Sequence, residues 1–452
     1  MLRIYNTASR KIETFKPLGE TVKIYTCGPT VYGFQHIGNY ASYIYWDLLV
    51  RTLKLDGYKV KRVLNFTDVG HLTSDGDSGE DKLEKGAARE GKSVYEIAEF
   101  YSEDFMRNFR ELCLTEPDVL ARATDYIEED IKAVDKMTTN GFTYETEDGV
   151  YYDTSRFSDY AKFAKLDLSG LQAGARIDFS DEKRNNSDFA VWKFIKPGEK
   201  HAMRWDYLGR PGYPGWHLEC TTIIHKELGE PIDIHTGEID HVPVHHTNEI
   251  AQTYAMSGKE LAKYWLHCNF ITIDGKKISK SLGNIFTLDD LSERGFSPMD
   301  FKMWVLAGHY QGTRNFTFES LEAAKQRRLN WRNKIALLYQ SAAEPGSSSN
   351  QDTFDKILSA VNNNLNSAEA FAVIDTSDLT MDDWQKVDEL FGLSLIADSP
   401  DTDDSTKSLI LERQAARENR DFARSDELRD QLKALGIVIE DTASGPIWQY
   451  LK

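Results

Sequence analysis

No apolar run in the 452-residue sequence approaches the roughly 20 residues a membrane-crossing helix needs. The first residues, MLRIYNTASRKIETFKP, lack the hydrophobic stretch of a signal peptide. A membrane protein is thereby excluded, and a cytoplasmic location is expected. Cysteine is scarce: Cys27, Cys113, Cys220 and Cys268 stand far apart. That spacing excludes a disulfide framework and leaves buried thiols or a metal site. Positive charge is short as well, with 54 Lys and Arg against 72 Asp and Glu and a net charge of −18. The total argues against a phosphate-rich partner, yet binding is local. The stretch AAKQRRLNWRNK (Ala323–Lys334) is a basic patch with a tryptophan inside it. Alone it reads as a solvated helix face.

What is present is a soluble composition, 40% hydrophobic and 28% charged, in a chain long enough for several domains. VKIYTC (Val22–Cys27) is a strand, GPTVYGFQHIGN a glycine-containing loop, and the next stretch a helix stopped by Gly57. Ile44, Leu48, Leu49 and Leu53 give that helix its apolar face, and YKVKRVLNFTD is the following strand. The order predicts a parallel, nucleotide-binding sheet. A polar unit over 119–200 interrupts it. The rhythm returns with YPGWHLECTTIIHKEL as a helix, PIDIHTGEID as a strand and HVPVHHTNEIAQTYAMSG entering a helix. From about Asn315 the pattern is helical. Ser341–Asn350 and Ala397–Lys407 read as linkers, SLILERQAARENRDFARSDELRDQLKAL as one strong helix, and GIVIEDTASGPIWQYLK as a strand or hairpin.

Three groups of residues can do chemistry. HIGN (His36–Asn39) stands at a helix start, where free N–H groups and the dipole favour phosphate and Gly38 permits close approach. A histidine there also suits a helix cap. His245 and Glu249 are four apart and share a helical face, and His246 with Glu249, three apart, serves equally. With Cys27 and Cys220 they make a plausible zinc set, against buried thiols beside a solvated His–Glu pair. KKISKSLGN (Lys276–Asn284) places Lys277 and Lys280 on a glycine-flanked loop, either as a wet turn or to stabilise charge on a leaving polyphosphate.

Taken together these segments resemble the cysteinyl-tRNA synthetase family of class I aminoacyl-tRNA synthetases. YTCGPTVYGFQHIGN is similar to the family's first signature. GWHLEC resembles its second zinc-cysteine segment, and DIHTGEIDHVPVHHTNEIAQ the DIH…PHHENEIAQ segment. KISKSLGN resembles KMSKS, and Ala416–Thr442 through the terminal tryptophan resembles the C-terminal module.

The resemblance implies a Rossmann-type parallel sheet split by an inserted domain, then a helical bundle and a small anticodon-binding module. The expected boundaries are 1–118 and 201–272 for the two catalytic halves and 119–200 for the insertion. A stem-contact segment with the lysine loop spans 273–315, the bundle 316–405 and the C-terminal module 406–452.

It implies one Zn2+ on Cys27, Cys220, His245 and Glu249, preferring His245 over His246. Trp216 would close the amino-acid pocket. Thr67 and His235 would line the amino acid and adenylate, with Asp240 in the same pocket. His36 and Asn39, with the backbone at Gly28 and Gly38, would serve ATP and Mg2+. Lys280 would hold pyrophosphate, supported by Lys277. The implied activity is ATP-dependent attachment of L-cysteine to tRNA(Cys) through an adenylate, by a monomer, with QRRLNWRNK as one salt-sensitive tRNA contact.

The sequence departs from the family at Asn39 for the second His of HIGH, Ile278 for the Met of KMSKS, TGEID for a glycine-rich run, and Thr247. Asn39 still donates to phosphate but carries no charge. Cys113 and Cys268 match no ligand position and are expected in the core. Two alternatives are a cysteine ligase acting on a small amino sugar, which lacks the C-terminal module, and a non-catalytic tRNA-binding paralogue. The retained His36, Lys280 and ligand set argue against the second.

Overall fold

The computed structural model describes residues 1–70, 81–166, 182–199, 201–279, 282–340, 351–442 and 445–451. Five parallel strands form its centre: β1 (Thr21–Thr26), β2 (Lys59–Phe66), β3 (Val119–Arg122), β4 (Ile232–Glu238) and β5 (Ala262–Cys268). Their spatial order is β5–β4–β1–β2–β3. Val22, Ile24 and Tyr25 of β1 and Ile232 and Ile234 of β4 are buried, as expected of strands covered on both faces. The chain winds from β1 outward through β2 and β3, then returns to β4 on the other side of β1. Such a reversal leaves a crevice beyond the carboxyl ends of β1 and β4, where α/β sheets bind ligands.

Helix α1 (Ile37–Leu55) follows β1 and is buried on nearly every side, as its mean apolar character requires. It ends at Asp56, and Gly57 then takes φ 87°. Helices α2 (Lys82–Glu90) and α3 (Val94–Glu111) follow β2. Phe105 of α3 sits among Tyr40, Tyr43, Phe66 and Phe109 at ring separations of 5.1–5.7 Å. Helices α4 (Trp216–Glu227) and α5 (His245–Ser257) flank β4. Gly258 closes α5 at φ 71°.

The insertion lies between β3 and β4. Its antiparallel sheet orders Thr143–Glu145, Gly149–Tyr152, Phe189–Phe194, Arg210–Pro214 and Trp205–Tyr207, around a core that includes Trp192. Val119–Arg122, at the expected start of the insertion, is instead the edge strand of the parallel sheet. Residues beyond 200 join the inserted sheet.

Helices Pro298–Leu306, Phe318–Gln340, Gln351–Asn362, Ser367–Thr376 and Met381–Phe391 make the bundle. The expected linker Ser341–Asn350 lies outside the described residues. The predicted single C-terminal helix is two, Asp404–Glu418 and Phe422–Ala434. Arg420 turns to φ 63°, and Asp421 caps the second helix by accepting from the Arg424 N–H (3.1 Å). A local cap thus overrides a helical pattern. The terminal strands Ile437–Thr442 and Gly445–Tyr450 pair as the expected hairpin.

The basic stretch faces inward. Trp331 is buried and its indole N–H donates to Asp375 (2.7 Å). Arg328 is buried against Asp398, Arg332 donates to the Asp398 carbonyl, and Arg327 pairs with Asp375 at 3.0 Å. Lys334 donates to the carbonyls of Ile374, Asp375 and Ser377 at the end of a bundle helix. Its cations stitch the bundle together, which accounts for the cationic pattern of QRRLNWRNK within the fold. Among the described residues no helix is long and apolar enough to cross a membrane.

A buried ion cluster joins α1 to the bundle. Lys302 contacts Asp47 at 3.1 Å and the carbonyls of Leu112 and Cys113, and Arg51 bonds Asp47 at 2.7 Å. Burial opposes charge on Asp47, but Lys302 and Arg51 hold its carboxyl well below the usual range. Lys302→Ala should cost about 3–5 kcal/mol in chemical denaturation, because Asp47 loses its buried partner. Asp47→Leu combined with Lys302→Met should cost less than Lys302→Ala alone.

Candidate active site

A cavity of about 920 Å³ opens at the crevice between β1 and β4. The loop after β1 supplies Cys27, Gly28, His36 and Asn39, and the end of β2 supplies Asn65 and Thr67. The start of α4 adds Trp216 and Cys220, the turn after β4 adds Glu238 and Asp240, and α5 adds His245. Ile278 and Ser279 of the lysine loop close one side. Of the site residues expected from sequence, Cys27, Gly28, His36, Asn39, Thr67, Trp216, Cys220, Asp240 and His245 border this one cavity. His235 and Glu249 lie fully buried behind its wall.

The nucleotide side is built on the N-terminus of α1. His36 is its cap: His36 Nδ1 accepts from the Asn39 N–H, and the Asn39 Oδ1 accepts from the His36 N–H, both at 3.2 Å. Asn39 therefore closes a capping box. A side chain on Gly38 would meet Ile278 Cδ1 at 2.8 Å, so that glycine seats the lysine loop against α1. The Ile37 N–H donates to the Phe286 carbonyl (2.8 Å), tying the far end of the loop to the same helix. Asn284 braces it by accepting from the Ser279 N–H (2.9 Å) and donating to the Lys277 carbonyl (3.1 Å). Lys277 is exposed, with its ammonium 5.7 Å from the Phe270 ring, and does not border the cavity. Lys280 lies outside the described residues.

The amino-acid side holds a cluster of soft and hard donors. Ligand atoms of Cys27, Cys220, His245 and Glu249 lie within 4.8 Å of one another, and so do those of Cys27, His235, His246 and Glu249. Glu249 is pinned between two rings: His235 Nε2 is 2.6 Å from one carboxylate oxygen and His245 Nε2 is 2.8 Å from the other. The second contact lacks hydrogen-bond geometry, which leaves that buried oxygen without a proton donor. Two thiols, an imidazole and a carboxylate oxygen converging in this way fit a tetrahedral zinc ion.

Burial opposes charge on His245, but Glu249 and Cys220 hold its imidazole up at about 10. Burial likewise opposes the Glu249 carboxylate, and His235 and His245 keep it well below its ordinary range. Burial pushes both thiols up. Metal binding must displace these protons. Trp216 stacks on His245 at 4.5 Å and 25°.

Sequence reading missed the second rank of residues. His217 Nδ1 lies 2.9 Å from His245 Nδ1, leaving His245 Nε2 toward Glu249. Cys27 Sγ is 3.3 Å from His246 Nε2, His246 Nδ1 is 2.8 Å from His267 Nε2, and His267 Nδ1 is 2.7 Å from the Thr7 hydroxyl. Only the histidine pair in VHHTNE signalled part of this chain. Cys268 is buried as expected, and Cys113, half-buried, contacts the Ser394 hydroxyl at 3.2 Å.

Residues 14–326 match the family described as tRNA synthetases class I (C) catalytic domain. Residues 399–448 match the cysteinyl-tRNA ligase anticodon binding domain. The chain is 42% identical to cysteine–tRNA ligase 1 of Burkholderia lata, covering 98% of this chain and 96% of that one. It is 38% identical to the cysteine–tRNA ligase of Treponema denticola, with both chains covered in full. Among solved structures it resembles Mycobacterium tuberculosis methionyl-tRNA synthetase in complex with methionyl-adenylate. The TM-score is 0.59 at 15% identity, over 83% of this chain and 89% of that one, a likeness of fold.

Gly28 gives a direct test of the cavity floor. Its N–H donates to Asn65 Oδ1 (2.8 Å), and a Cβ there would fall 1.5 Å from the Asn65 carbonyl oxygen. Gly28→Ala should therefore destabilise the fold by at least about 1–3 kcal/mol in thermal unfolding. Gly33→Ala, in the same loop and facing open space, should be near neutral.

Proposed function

The chain belongs to the cysteine–tRNA ligase family of class I aminoacyl-tRNA synthetases, and from that premise we propose how its residues carry out ATP-dependent charging of tRNA(Cys). The observation that carries the proposal is the Cys27, Cys220, His245 and Glu249 donor set in the wall of the cavity that also holds the HIGN helix start. These four side chains would hold zinc. Bound there, zinc would supply a borderline-soft Lewis acid that favours a cysteine thiolate over the neutral hydroxyl of serine, which size alone separates poorly.

The protein's own groups do the rest. Trp216, stacked on His245, closes the cavity beside the thiol. Thr67 and Asp240 border the amino acid and its adenylate, while His235 acts from behind by holding Glu249. The α1 N-terminus, with His36 and Asn39, receives the ATP phosphates through the positive end of the helix dipole. Gly28 and Gly38 keep backbone accessible beside them.

The substrate carboxylate attacks the α-phosphorus of ATP. A P–O bond forms to give cysteinyl-adenylate, and the bond to pyrophosphate breaks. Lys280, with Lys277 in support, would neutralise the departing pyrophosphate, alongside the charge that Mg2+ would supply when bound with ATP. The terminal ribose 2′-hydroxyl of the tRNA then attacks the mixed anhydride and releases AMP. The anticodon-binding unit at the C-terminus favours a tRNA acceptor over a small amino sugar.

Elemental analysis tests the metal assignment. Cys220→Ser and His245→Ala should lose bound zinc, whereas His235→Ala should retain it. Loss in the His235 variant with retention in the Cys220 variant would assign the other donor set. Cysteine-dependent ATP–pyrophosphate exchange tests the chemistry. Lys280→Ala should slow exchange about 100-fold while leaving cysteine affinity near that of the parent. Unaltered exchange removes Lys280 from the mechanism.

A further inference from the structure

Two phenylalanines stand exposed where the cavity meets solvent. Phe34 is 54% exposed and Phe100 42% exposed. Phe34 belongs to the loop between β1 and α1, two residues before His36, and borders the cavity. Phe100 projects from α3. Their ring centroids are 6.0 Å apart, edge to face, and Tyr101 stands 5.1 Å from each of them. The three rings make a continuous aromatic rim rather than scattered surface residues. The Lys92 ammonium lies 4.4 Å from the Phe100 centroid. Arg89 lies within 3.4 Å of the Tyr101 hydroxyl, and Glu90 is shared by Arg89 (2.7 Å) and Lys92 (3.6 Å).

Burying the exposed parts of Phe34 and Phe100 would be favourable, and among the described residues Tyr101 packs against both rings and Lys92 lies over Phe100. The charging reaction requires one partner to enter this cavity, which Phe34 borders. The reactive hydroxyl belongs to the last nucleotide of an unpaired RNA end and must reach the cavity floor. Unpaired RNA is held by aromatic side chains that accept the faces of splayed bases, with cations beside the backbone. ATP, by contrast, is assigned above to the α1 N-terminus.

We propose that Phe34 and Phe100 form a stacking platform for the unpaired 3′ end of the tRNA substrate, with Lys92 and Arg89 beside its phosphates. This rests on the reading of the cavity as the charging site.

The test compares Phe100→Ala, Phe100→Tyr and the double variant Phe34→Ala/Phe100→Ala. In charging assays the double variant should raise KM for intact tRNA about tenfold. Phe100→Ala should show part of that rise, and Phe100→Tyr should restore parental behaviour. Cysteine-dependent ATP–pyrophosphate exchange, which needs no tRNA, should be unchanged in Phe100→Ala. Binding of tRNA trimmed of its unpaired 3′ end should be equal for parent and variants.

An unchanged KM for intact tRNA overturns the platform. So does equal weakening of trimmed and intact tRNA, which marks a contact elsewhere on the tRNA. A raised KM for ATP in exchange overturns it too, by assigning the rim to the nucleotide. Absence of exchange in the parent enzyme would overturn the charging reading itself, an outcome distinct from these.

Discussion

The Glu249 carboxylate is fully buried, and much of the site is arranged to make its charge tolerable. An unpaired carboxylate in such a place would be forced to neutralise. Instead His235 holds one oxygen from β4, and His245 faces the other from one turn earlier on α5. That arrangement requires α5 to pack at a fixed rotation against the carboxyl end of β4. The same rotation turns His246 toward Cys27 at the end of β1. One buried charge thus locks a strand, a helix and a neighbouring strand into a register in which four donor atoms converge. Such networks are costly when partly satisfied and specific when complete.

A second constraint joins the two ends of the chemistry. The glycine at position 38 has no Cβ, and the space is filled by Ile278. Replacement of a methionine by isoleucine in the lysine-loop signature preserves the apolar contact while leaving the loop's polar atoms to Asn284. The departure at Asn39 has a comparable logic. A helix start must satisfy its own first N–H groups before it can offer the remainder to phosphate. Asn39 and His36 satisfy each other in a capping box, so the cap survives without a second imidazole.

How much of this was legible in the sequence differs by the range of the interaction. Strands β1, β2 and β4 were readable as short apolar runs separated by helical periods, and so was the Gly57 stop, whereas β3 was assigned to the insertion and β5 was not read. The Cys–Cys–His–Glu set was readable as residue types, but spacing alone could not choose between His245 and His246. In three dimensions each histidine serves a donor set, and the choice depends on contacts across β1, β4 and α5. The imidazole chain ending at Thr7 joins residues some 260 positions apart and left no local pattern. The break at Arg420 was missed because the segments on either side are rich in helix formers, although its own neighbours Asn419 and Asp421 favour caps and turns.

The basic stretch shows why a cationic motif is a poor guide to nucleic-acid contact in an acidic chain. With 72 acidic residues to accommodate, this protein uses Arg327, Arg328, Arg332 and Lys334 to neutralise Asp375 and Asp398 and to cap a bundle helix. Those cations already have partners within the bundle. An acidic surface that must still admit an RNA end gains from contacts that do not scale with positive charge. Base stacking on an aromatic ring is such a contact, since every base offers a π-face whatever the local potential. A rim of Phe34, Phe100 and Tyr101 beside a few paired cations is then a physically economical way to guide a polyanion's unpaired end into the cavity.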